Sequence, residues 1–160
     1  MESIILKPIG VIHSPFTDPK SMPIQPVSQN SAAGRIEVFP EFAAGLEDVE
    51  GFSHVLLLYH FHRSRAYSLS VTPFLDTEPR GLFATRAPNR PNPIGISLVR
   101  LVRIEGSRLH VENIDVIDGT PLLDINPHVP DFDCAPGARI GWLEKAAAEM
   151  RKKVADDRFS

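Results

Sequence analysis

The stretch ISLVRLVRIEGSRLHVENIDVI, residues 96–117, decides the fold class. It contains two runs rich in β-branched residues, joined at Gly106 and Ser107, a pair suited to the tight primed turn of a β-hairpin. Several further short β-rich runs, separated by Gly, Pro and polar residues, occur at close spacing along the rest of the chain. We therefore predict a mainly β protein whose antiparallel sheet curls or closes into a β-barrel, with short connecting helices.

The run SHVLLLYHFHR is the strongest further strand candidate, because it is long and apolar on both faces and so resembles a central strand. A helical or turn connection is predicted between the strands at 34–39 and 53–63, and a C-terminal α-helix, rich in Ala, Leu, Glu, Lys and Arg, at about 137–156. The other predicted strands are at residues 4–16, 34–39, 82–85 and 121–129.

Length and composition predict one domain, residues 1–160, with a barrel core at 4–135. The formal net charge of -3 gives no overall basic field, so an anionic partner must be met by a local patch. Cys134 is the only cysteine, which excludes an intrachain disulfide framework and fits a reducing compartment. The sequence has neither a signal-peptide pattern nor a long apolar run, so a cytoplasmic protein without a membrane partner is predicted.

The segment ATRAPNRPNPIG, residues 84–95, is unusually stiff for a loop. Each proline fixes its own φ and biases the preceding residue toward extended geometry, so the polar side chains stand on a preset backbone. Arg86 and Arg90 offer planar donor forks for a carboxylate or phosphate, while Asn89 and Asn92 offer a donor and an acceptor each. The alternative is a rigid crossover whose arginines are merely solvated.

The end of the central strand carries a histidine pair. In a strand, His60 and His62 share one face, and such a pair could bind a metal with a third ligand from His54, Asp131 or Asp133. Histidines near strand ends more often pack, cap or hydrogen-bond, so we predict no metal site. Two imidazoles at the mouth of a barrel could equally bind a polar ligand.

The segment IDVIDGTPLL also carries candidate chemistry. Asp115 and Asp118 flank a strand end, and Gly119, Thr120 and Pro121 form a tight reversal with exposed backbone amides and a hydroxyl. A carboxylate beside free amides suits an amine, a pair of ribose hydroxyls or an adenine edge. An Asx-turn that merely ends the strand is the alternative interpretation.

Four segments resemble, in order, the signature blocks of the TsaA-like, or TrmO, family: GVIHSPF, GLEDVEGFSHVLLLYHFH, ATRAPNRPNPIGIS and DVIDGTPLLDINPHVPDFD. The resemblance covers residues 4 to about 135. It implies a β-barrel S-adenosylmethionine-dependent methyltransferase. Characterised relatives methylate the N6 nitrogen of threonylcarbamoyladenosine next to the tRNA anticodon, with the cofactor near the interface of a homodimer.

The chemistry of methyl transfer requires that the acceptor lose a proton, and three residues are candidates for the base: Asp118, His60 and His62. Three residues of the stiff loop are expected at the substrate: Asn89, Arg90 and Asn92. By position, the resemblance implies that the cofactor contacts Pro23, Ile24, Gln25, His62, Arg63, Arg86, Ile96, Asp118, Gly119, Thr120, Pro121 and Leu122.

This chain departs from the family pattern at a few positions. Many relatives carry a basic residue where Ile24 stands, and Lys and Tyr where Asn126 and His128 stand, which weakens the case for a grip on the tRNA backbone. The basic C-terminal stretch 151–153 is expected to pack rather than to replace a further domain. The alternative functions are a methyltransferase of a small molecule, and a non-catalytic or metal-dependent ligand-binding barrel.

Overall fold

The computed structural model describes residues 2–18, 32–73 and 76–147. Its strands are β1 (Gly10–His13), β2 (Ala33–Val38), β3 (His54–His60), β4 (Ser70–Val71), β5 (Arg80–Gly81), β6 (Ile94–Glu105), β7 (Arg108–Glu112) and β8 (Thr120–Pro127). Six of them close into an antiparallel barrel in the order β1-β2-β7-β6-β3-β8, whereas β4 and β5 form a separate two-stranded sheet. The predicted antiparallel barrel is confirmed.

The hairpin that decided the fold class is formed by β6 and β7. Glu105 pairs with Arg108, which leaves a two-residue turn. Gly106 adopts a φ of 61°, as the first central position of a type II′ turn requires. Along most of β6 buried and exposed residues alternate strictly, because one face of the strand lines the barrel interior and the other lies outside.

The core lies inside the barrel and is built from inward-facing aliphatic side chains. On β3, Val55, Leu57 and Tyr59 point inward and are buried, whereas Leu56 and Leu58 on the outer face are half-buried. The strand expected to be central pairs with β6 on one side and with β8 on the other, but its apolar residues are fully buried only on the inner face. In a closed barrel one face is solvent-side, so the apolar residues on the outer face of β3 need another explanation.

Three predicted elements differ from the observed ones. Residues 82–85, predicted as a strand, begin a 3-10 helix at Leu82–Ala84, because Leu82 is anchored in the interior and its carbonyl accepts the Thr85 amide at 3.0 Å. The first strand is short and begins only at Gly10, since Pro8 cannot donate to a ladder. The central strand ends at His60, so His62 lies in the turn that follows.

The connecting helices agree with the prediction, and the C-terminal helix agrees in part. The 3-10 helices Pro40–Leu46 and Val49–Gly51 link β2 to β3, and a short helix, α1, spans Pro130–Asp133. Helix begins at residue 143 rather than 137, because Gly137 and Gly141 adopt left-handed conformations. It continues to residue 147, and the basic stretch 151–153 lies outside the described residues. Over the described ranges, no helix has the length and apolarity needed to cross a membrane.

Candidate active site at one end of the barrel

One end of the barrel, which we call the mouth, gathers the segments predicted to carry chemistry. The pairing of Ile12 with Thr120, and of Tyr59 with Leu122, places the end of β1, the end of β3 and the start of β8 side by side. The segment 113–119 leads into β8 at this end. The mouth is therefore assembled from parts of the chain that are distant in sequence.

His62 and Thr120 meet at the mouth. The Thr120 hydroxyl donates to the Ile117 carbonyl at 2.7 Å, and its oxygen lies 3.3 Å from Nδ1 of His62. A hydroxyl has a single proton, so Nδ1 must be the donor in the second contact. This assigns the Nδ1–H tautomer to neutral His62 and leaves Nε2 as an unprotonated acceptor.

The environment of His62 favours this neutral form. Partial desolvation lowers the pKa of His62 below its ordinary value of 6.5, and the neighbouring Arg63 and His60 lower it further. The Arg63 guanidinium is itself held in place, because it donates to the Thr17 carbonyl at 2.8 Å. His62 is thus neutral at physiological pH, which a proton acceptor needs to be.

Asp118 joins the mouth segment to the first strand. Its Oδ1 accepts the Ser14 amide at 3.1 Å and lies 3.3 Å from Nδ1 of His13. Its own amide donates to Phe16, and the next amide, of Gly119, donates to Ile12. These contacts agree with the structural interpretation of the turn, yet Oδ2 has no partner in the described part of the chain. We call His13, His62, Asp118, Gly119 and Thr120 the mouth corner.

A second polar group at the mouth joins Asp115 to Tyr59 and Ser97, two residues that were not singled out from the sequence. The Tyr59 hydroxyl lies 3.0 Å from Ser97 Oγ, and Ser97 donates to Asp115 Oδ1. Tyr59 and Ser97 are 4% and 5% exposed, so this chain runs from the barrel interior to the half-buried Asp115 carboxylate. Burial raises the pKa of Tyr59 to about 12, although the Ser97 bond and nearby Arg86 oppose the shift. The signal in the sequence was that Tyr59 and Ser97 are polar, whereas the other inward-facing residues of their strands are mainly aliphatic.

The stiff loop is braced by its own side chains. Arg90 donates to the Thr85 carbonyl at 3.0 Å, and weakly to two neighbouring carbonyls, while its guanidinium lies over the Phe83 ring. Asn89 Oδ1 accepts the Arg65 amide and the Ser64 hydroxyl, each at 3.1 Å. The Arg90 guanidinium and the Asn89 side-chain oxygen, which were expected at a substrate, are thus engaged by the loop itself and by the residues that follow β3, respectively.

Arg86 differs from its neighbours in the stiff loop. Its side chain is exposed, and its guanidinium has no acceptor within the described residues, although its charge acts on Tyr59 beneath it. The side chain of Asn92 likewise makes no hydrogen bond there, while its carbonyl accepts the Ile94 amide at 2.8 Å. Arg86 is therefore the free cation of this loop beside the Tyr59 chain.

The remaining predicted cofactor residues are not all at the corner. Pro23, Ile24 and Gln25 lie outside the described residues. Leu122 is 0% exposed, so its side chain belongs to the core and only its backbone could reach a ligand. Ile96 faces outward on β6 and is 47% exposed.

Ile96 belongs to an exposed apolar strip on the outside of the barrel. The strip, which we call the outer stripe, consists of Leu56, Leu58, Ile94, Ile96 and Leu98. The pairing of β3 with β6 places these residues side by side, and His60 at the end of β3 continues the stripe to the mouth. Solvent-exposed apolar side chains that lie contiguously mark a contact surface.

The geometry does not support a metal site on the histidine pair. In the described residues, no group of three or more His, Cys, Asp or Glu side chains is placed to hold a metal ion. His54 stands at the far end of β3, about 20 Å from His60 at roughly 3.3 Å per residue. At that far end it packs edge-on against His128, which lies 3.0 Å from Asp133. The proposed third ligands are therefore at the wrong end of the barrel.

Comparison with known proteins agrees with this geometry. A family model described as the tRNA-methyltransferase O N-terminal domain matches residues 11–134. A probable S-adenosyl-L-methionine-binding protein of Pyrococcus abyssi is 54% identical over 156 residues, covering 98% of this chain and 85% of the relative. A tRNA (adenine(37)-N6)-methyltransferase of Rattus norvegicus is 38% identical over 138 residues, covering 82% of this chain and 32% of the relative.

A solved structure has the same fold. The crystal structure of TrmO from Pseudomonas aeruginosa superposes with a TM-score of 0.76 at 40% identity, covering 90% of this chain. The chain spans 63% of the length of that TrmO chain. With its matching signature blocks, its closed barrel and its mouth corner, this chain belongs to the tRNA-methyltransferase O N-terminal domain family.

Proposed function

We propose that the protein is an S-adenosylmethionine-dependent methyltransferase that modifies the N6 nitrogen of an adenosine in tRNA. The observation that carries the proposal is the mouth corner, where the His62 imidazole is neutral and its Nε2 has no partner in the described part of the chain. Thr120, which His62 contacts, lies two residues after Asp118. The names of the relatives, which include an S-adenosyl-L-methionine-binding protein and a tRNA adenine methyltransferase, support the same assignment.

The residues at the mouth fit the cofactor. Arg86, whose guanidinium has no acceptor over the described ranges, suits the carboxylate of the methionine moiety. Oδ2 of Asp118, which is likewise unpartnered there, suits its amine or the ribose hydroxyls. Gly119 has no side chain to block close approach of a ligand to the backbone. When bound, S-adenosylmethionine supplies an electrophilic methyl group on a sulfonium.

The protein has two tasks in this chemistry. It must hold the donor and the acceptor in line while excluding water, and it must remove the proton from the nitrogen that receives the methyl group. Of the three candidate bases, Asp118 has one oxygen fixed by Ser14 and His13, whereas His62 has Nε2 available. We assign His62 as the base: its Nε2 takes the proton as the nitrogen–methyl bond forms and the sulfur–methyl bond breaks.

The pH profile tests the assignment of His62. Because the pKa of His62 is lowered, the neutral base persists below pH 6.5, and the acid limb of kcat/KM should lie below that value. In His62→Gln, kcat should fall about 100-fold or more and this limb should disappear. An unchanged acid limb in the variant would assign the proton to another group. His60→Gln is the matched control, and should keep both the limb and most of kcat.

The lowered pKa of His62 also predicts how the stability of the protein depends on pH. Since the folded protein holds a lower pKa at His62 than the unfolded chain does, the unfolded chain binds the proton first as pH falls. The contribution of His62 to stability is therefore full above pH 6.5 and declines below it, so loss of activity at low pH must be separated from unfolding. Thermal unfolding followed over the same pH range provides that separation.

We also propose that the protein acts as a homodimer through the outer stripe. The stripe runs from the side of the barrel up to the mouth, so a second copy seated on it would bring its own residues close to the mouth corner. This arrangement would bring Ile96, which faces outward, to the cofactor that the resemblance predicts it to contact. Its three most exposed members, Ile94, Ile96 and Leu98, are 39%, 47% and 44% exposed in the single chain.

Ile96→Asp should separate the two subunits. A buried charge in an apolar interface is costly, so sedimentation should give a monomer for the variant and a dimer for the unaltered protein at micromolar concentration. Phe132→Asp, at a residue 84% exposed away from the stripe, is the control and should stay dimeric. A monomeric unaltered protein, or a dimeric Ile96→Asp variant, would contradict the proposal.

We propose that the nucleoside methylated in tRNA is threonylcarbamoyladenosine next to the anticodon. Nucleoside analysis of tRNA tests this assignment. Mass spectrometry of tRNA from cells lacking the protein should show the loss of one N-methylated derivative, restored by the purified enzyme with S-adenosylmethionine. Methyl transfer to metabolites but not to tRNA would favour the small-molecule alternative. Binding without any transfer would favour a ligand-binding barrel. A cytoplasmic location and a single-domain organisation over residues 1–160 are part of the proposal.

A further inference from the structure

The chain between β3 and β6 leaves the barrel and forms an independent feature, the excursion, residues 61–93. Its two strands pair Ser70 with Gly81 and Val71 with Arg80. The pairing continues beyond the strands, because the Leu82 amide donates to the Leu69 carbonyl at 2.9 Å. This register brings residues 67–69 next to residues 82–83.

Among the described residues of the excursion, three large apolar side chains are exposed. Phe83 is 73% exposed, Leu69 is 62% exposed and Tyr67 is 51% exposed. We call these three residues the platform. Large apolar side chains that stay exposed on neighbouring segments mark a surface that a partner covers.

The part of the chain that carries Phe83 is held firmly. Its neighbour Leu82 is 1% exposed and anchors the 3-10 helix in the interior. The Trp142 indole donates to the Ala84 carbonyl at 2.8 Å, and the Arg90 fork ties the following loop to the Thr85 carbonyl. Phe83 therefore stands outward on a fixed backbone, which lowers the entropy cost of binding a partner.

The excursion that carries the platform has a net positive charge. The excursion contains five arginines and two carboxylates, although the whole chain has a net charge of -3. Asp76, one of those carboxylates, is occupied by Arg80 at 2.6 Å. The Arg90 guanidinium lies 5.7 Å from the Phe83 ring centroid, so the ring already has a cation over it. A partner with flat apolar faces and negative charge fits this surface.

We propose that the platform stacks unpaired nucleobases of the RNA substrate, flanking the adenosine that is methylated at the mouth. Single-stranded nucleic acid is recognised by aromatic side chains that stack on base faces, within a basic surface that follows the backbone. The proposal rests on the proposed tRNA substrate and adds the surface that receives the neighbouring nucleotides. It assigns Phe83 a contact with RNA and no part in cofactor binding.

Phe83→Ala tests the platform. Affinity for an anticodon stem-loop RNA should fall about 5- to 150-fold, the effect expected of losing one stacked base. KM for tRNA should rise in step, while kcat at saturating tRNA and the affinity for S-adenosylmethionine stay unchanged. Phe83→Tyr, which keeps a ring, should retain the affinity of the unaltered protein. Phe132→Ala removes an equally exposed aromatic outside the platform and should have no effect.

The outcomes distinguish the platform from the proposed function. If the unaltered protein methylates tRNA and Phe83→Ala binds RNA normally, the platform proposal is wrong and the proposed methyltransferase function stands. If RNA binding depends on Phe83 but no methyl group is transferred, the platform proposal stands and the proposed methyltransferase function is wrong. A change in sedimentation of the RNA-free Phe83→Ala variant would make the platform a contact between copies of the chain, which also overturns the proposal. Thermal unfolding confirms that each variant is folded.

Discussion

Gly95→Ala is expected to destabilise the protein by about 3 kcal/mol or more, at the upper end of what overpacking costs. A Cβ at this position would lie 2.2 Å from Cε2 and 2.5 Å from Cζ of Tyr59, and 2.8 Å from the Phe61 ring. Neither ring can move aside easily, because the two pack edge to face and the Tyr59 hydroxyl is fixed by Ser97. Urea denaturation measures the loss as a lower midpoint.

Two further variants show whether the cause is the overlap. In Gly45→Ala the added Cβ meets nothing within 4 Å, so the midpoint should shift little. In the double variant Gly95→Ala with Tyr59→Leu, the smaller side chain makes room, and the two changes should cost less together than the sum of their separate effects. Additive costs, or a Gly95→Ala variant as stable as the unaltered protein, would show that the backbone absorbs the contact.

The packing around Gly95 explains how the end of the stiff loop is held in place. The loop ends with Pro93, whose carbonyl accepts the Phe61 amide at 2.7 Å, and with Gly95, which lies under the Tyr59 ring. The loop is therefore fastened to the end of β3 on the same residues that form the mouth. The sequence indicated that this segment is rigid, but the partner that requires a glycine there lies 36 positions away and is visible only in the fold.

The architecture was predictable where local pattern and tertiary structure agree. The β6–β7 hairpin combines alternating burial with a glycine in the turn, so its geometry is local. In residues 82–85 the local pattern does not determine the structure, because four apolar or small residues fit a strand and a 3-10 turn equally well. The burial of Leu82 in the folded protein selects the 3-10 turn. Periodicity alone predicted that His62 lies on the strand. In the structure the His62 amide donates to the His60 carbonyl, and this bond turns the chain just after the strand ends.

The sequence identified several residues of the candidate site by their type, but it did not identify the residues that they contact. Periodicity and motif identified His62, Asp118 and Thr120, which do meet at the mouth. The Tyr59–Ser97–Asp115 chain was missed because its members become neighbours only when the barrel closes and sets the register of β3 against β6. A fork-shaped donor such as Arg90 can serve a ligand or the loop itself, and only coordinates distinguish these uses.

Arg86→Ala should weaken binding of S-adenosylmethionine about 10- to 100-fold, the loss expected for charge-assisted hydrogen bonds to a carboxylate. Arg86 is the arginine of the stiff loop whose guanidinium has no acceptor in the described residues, whereas Arg90 is occupied by loop carbonyls. Isothermal titration calorimetry measures the affinity. Arg65→Ala is the matched control, because that arginine is also exposed on the excursion but, among the residues that the structure describes, only its amide is bonded.

A second ligand identifies the group that Arg86 contacts. 5′-Methylthioadenosine has the nucleoside and a thioether but no carboxylate, so its weaker binding should be equal in the unaltered protein and in Arg86→Ala. Arg86→Lys should recover only part of the affinity for S-adenosylmethionine, because an ammonium cannot form the paired bonds of a guanidinium fork. If Arg86→Ala weakened both ligands equally, the arginine would support the shape of the mouth through the stiff loop and would not contact the carboxylate. If neither affinity changed, the carboxylate would be bound elsewhere, and Arg86 would be free to meet RNA phosphate beside the platform.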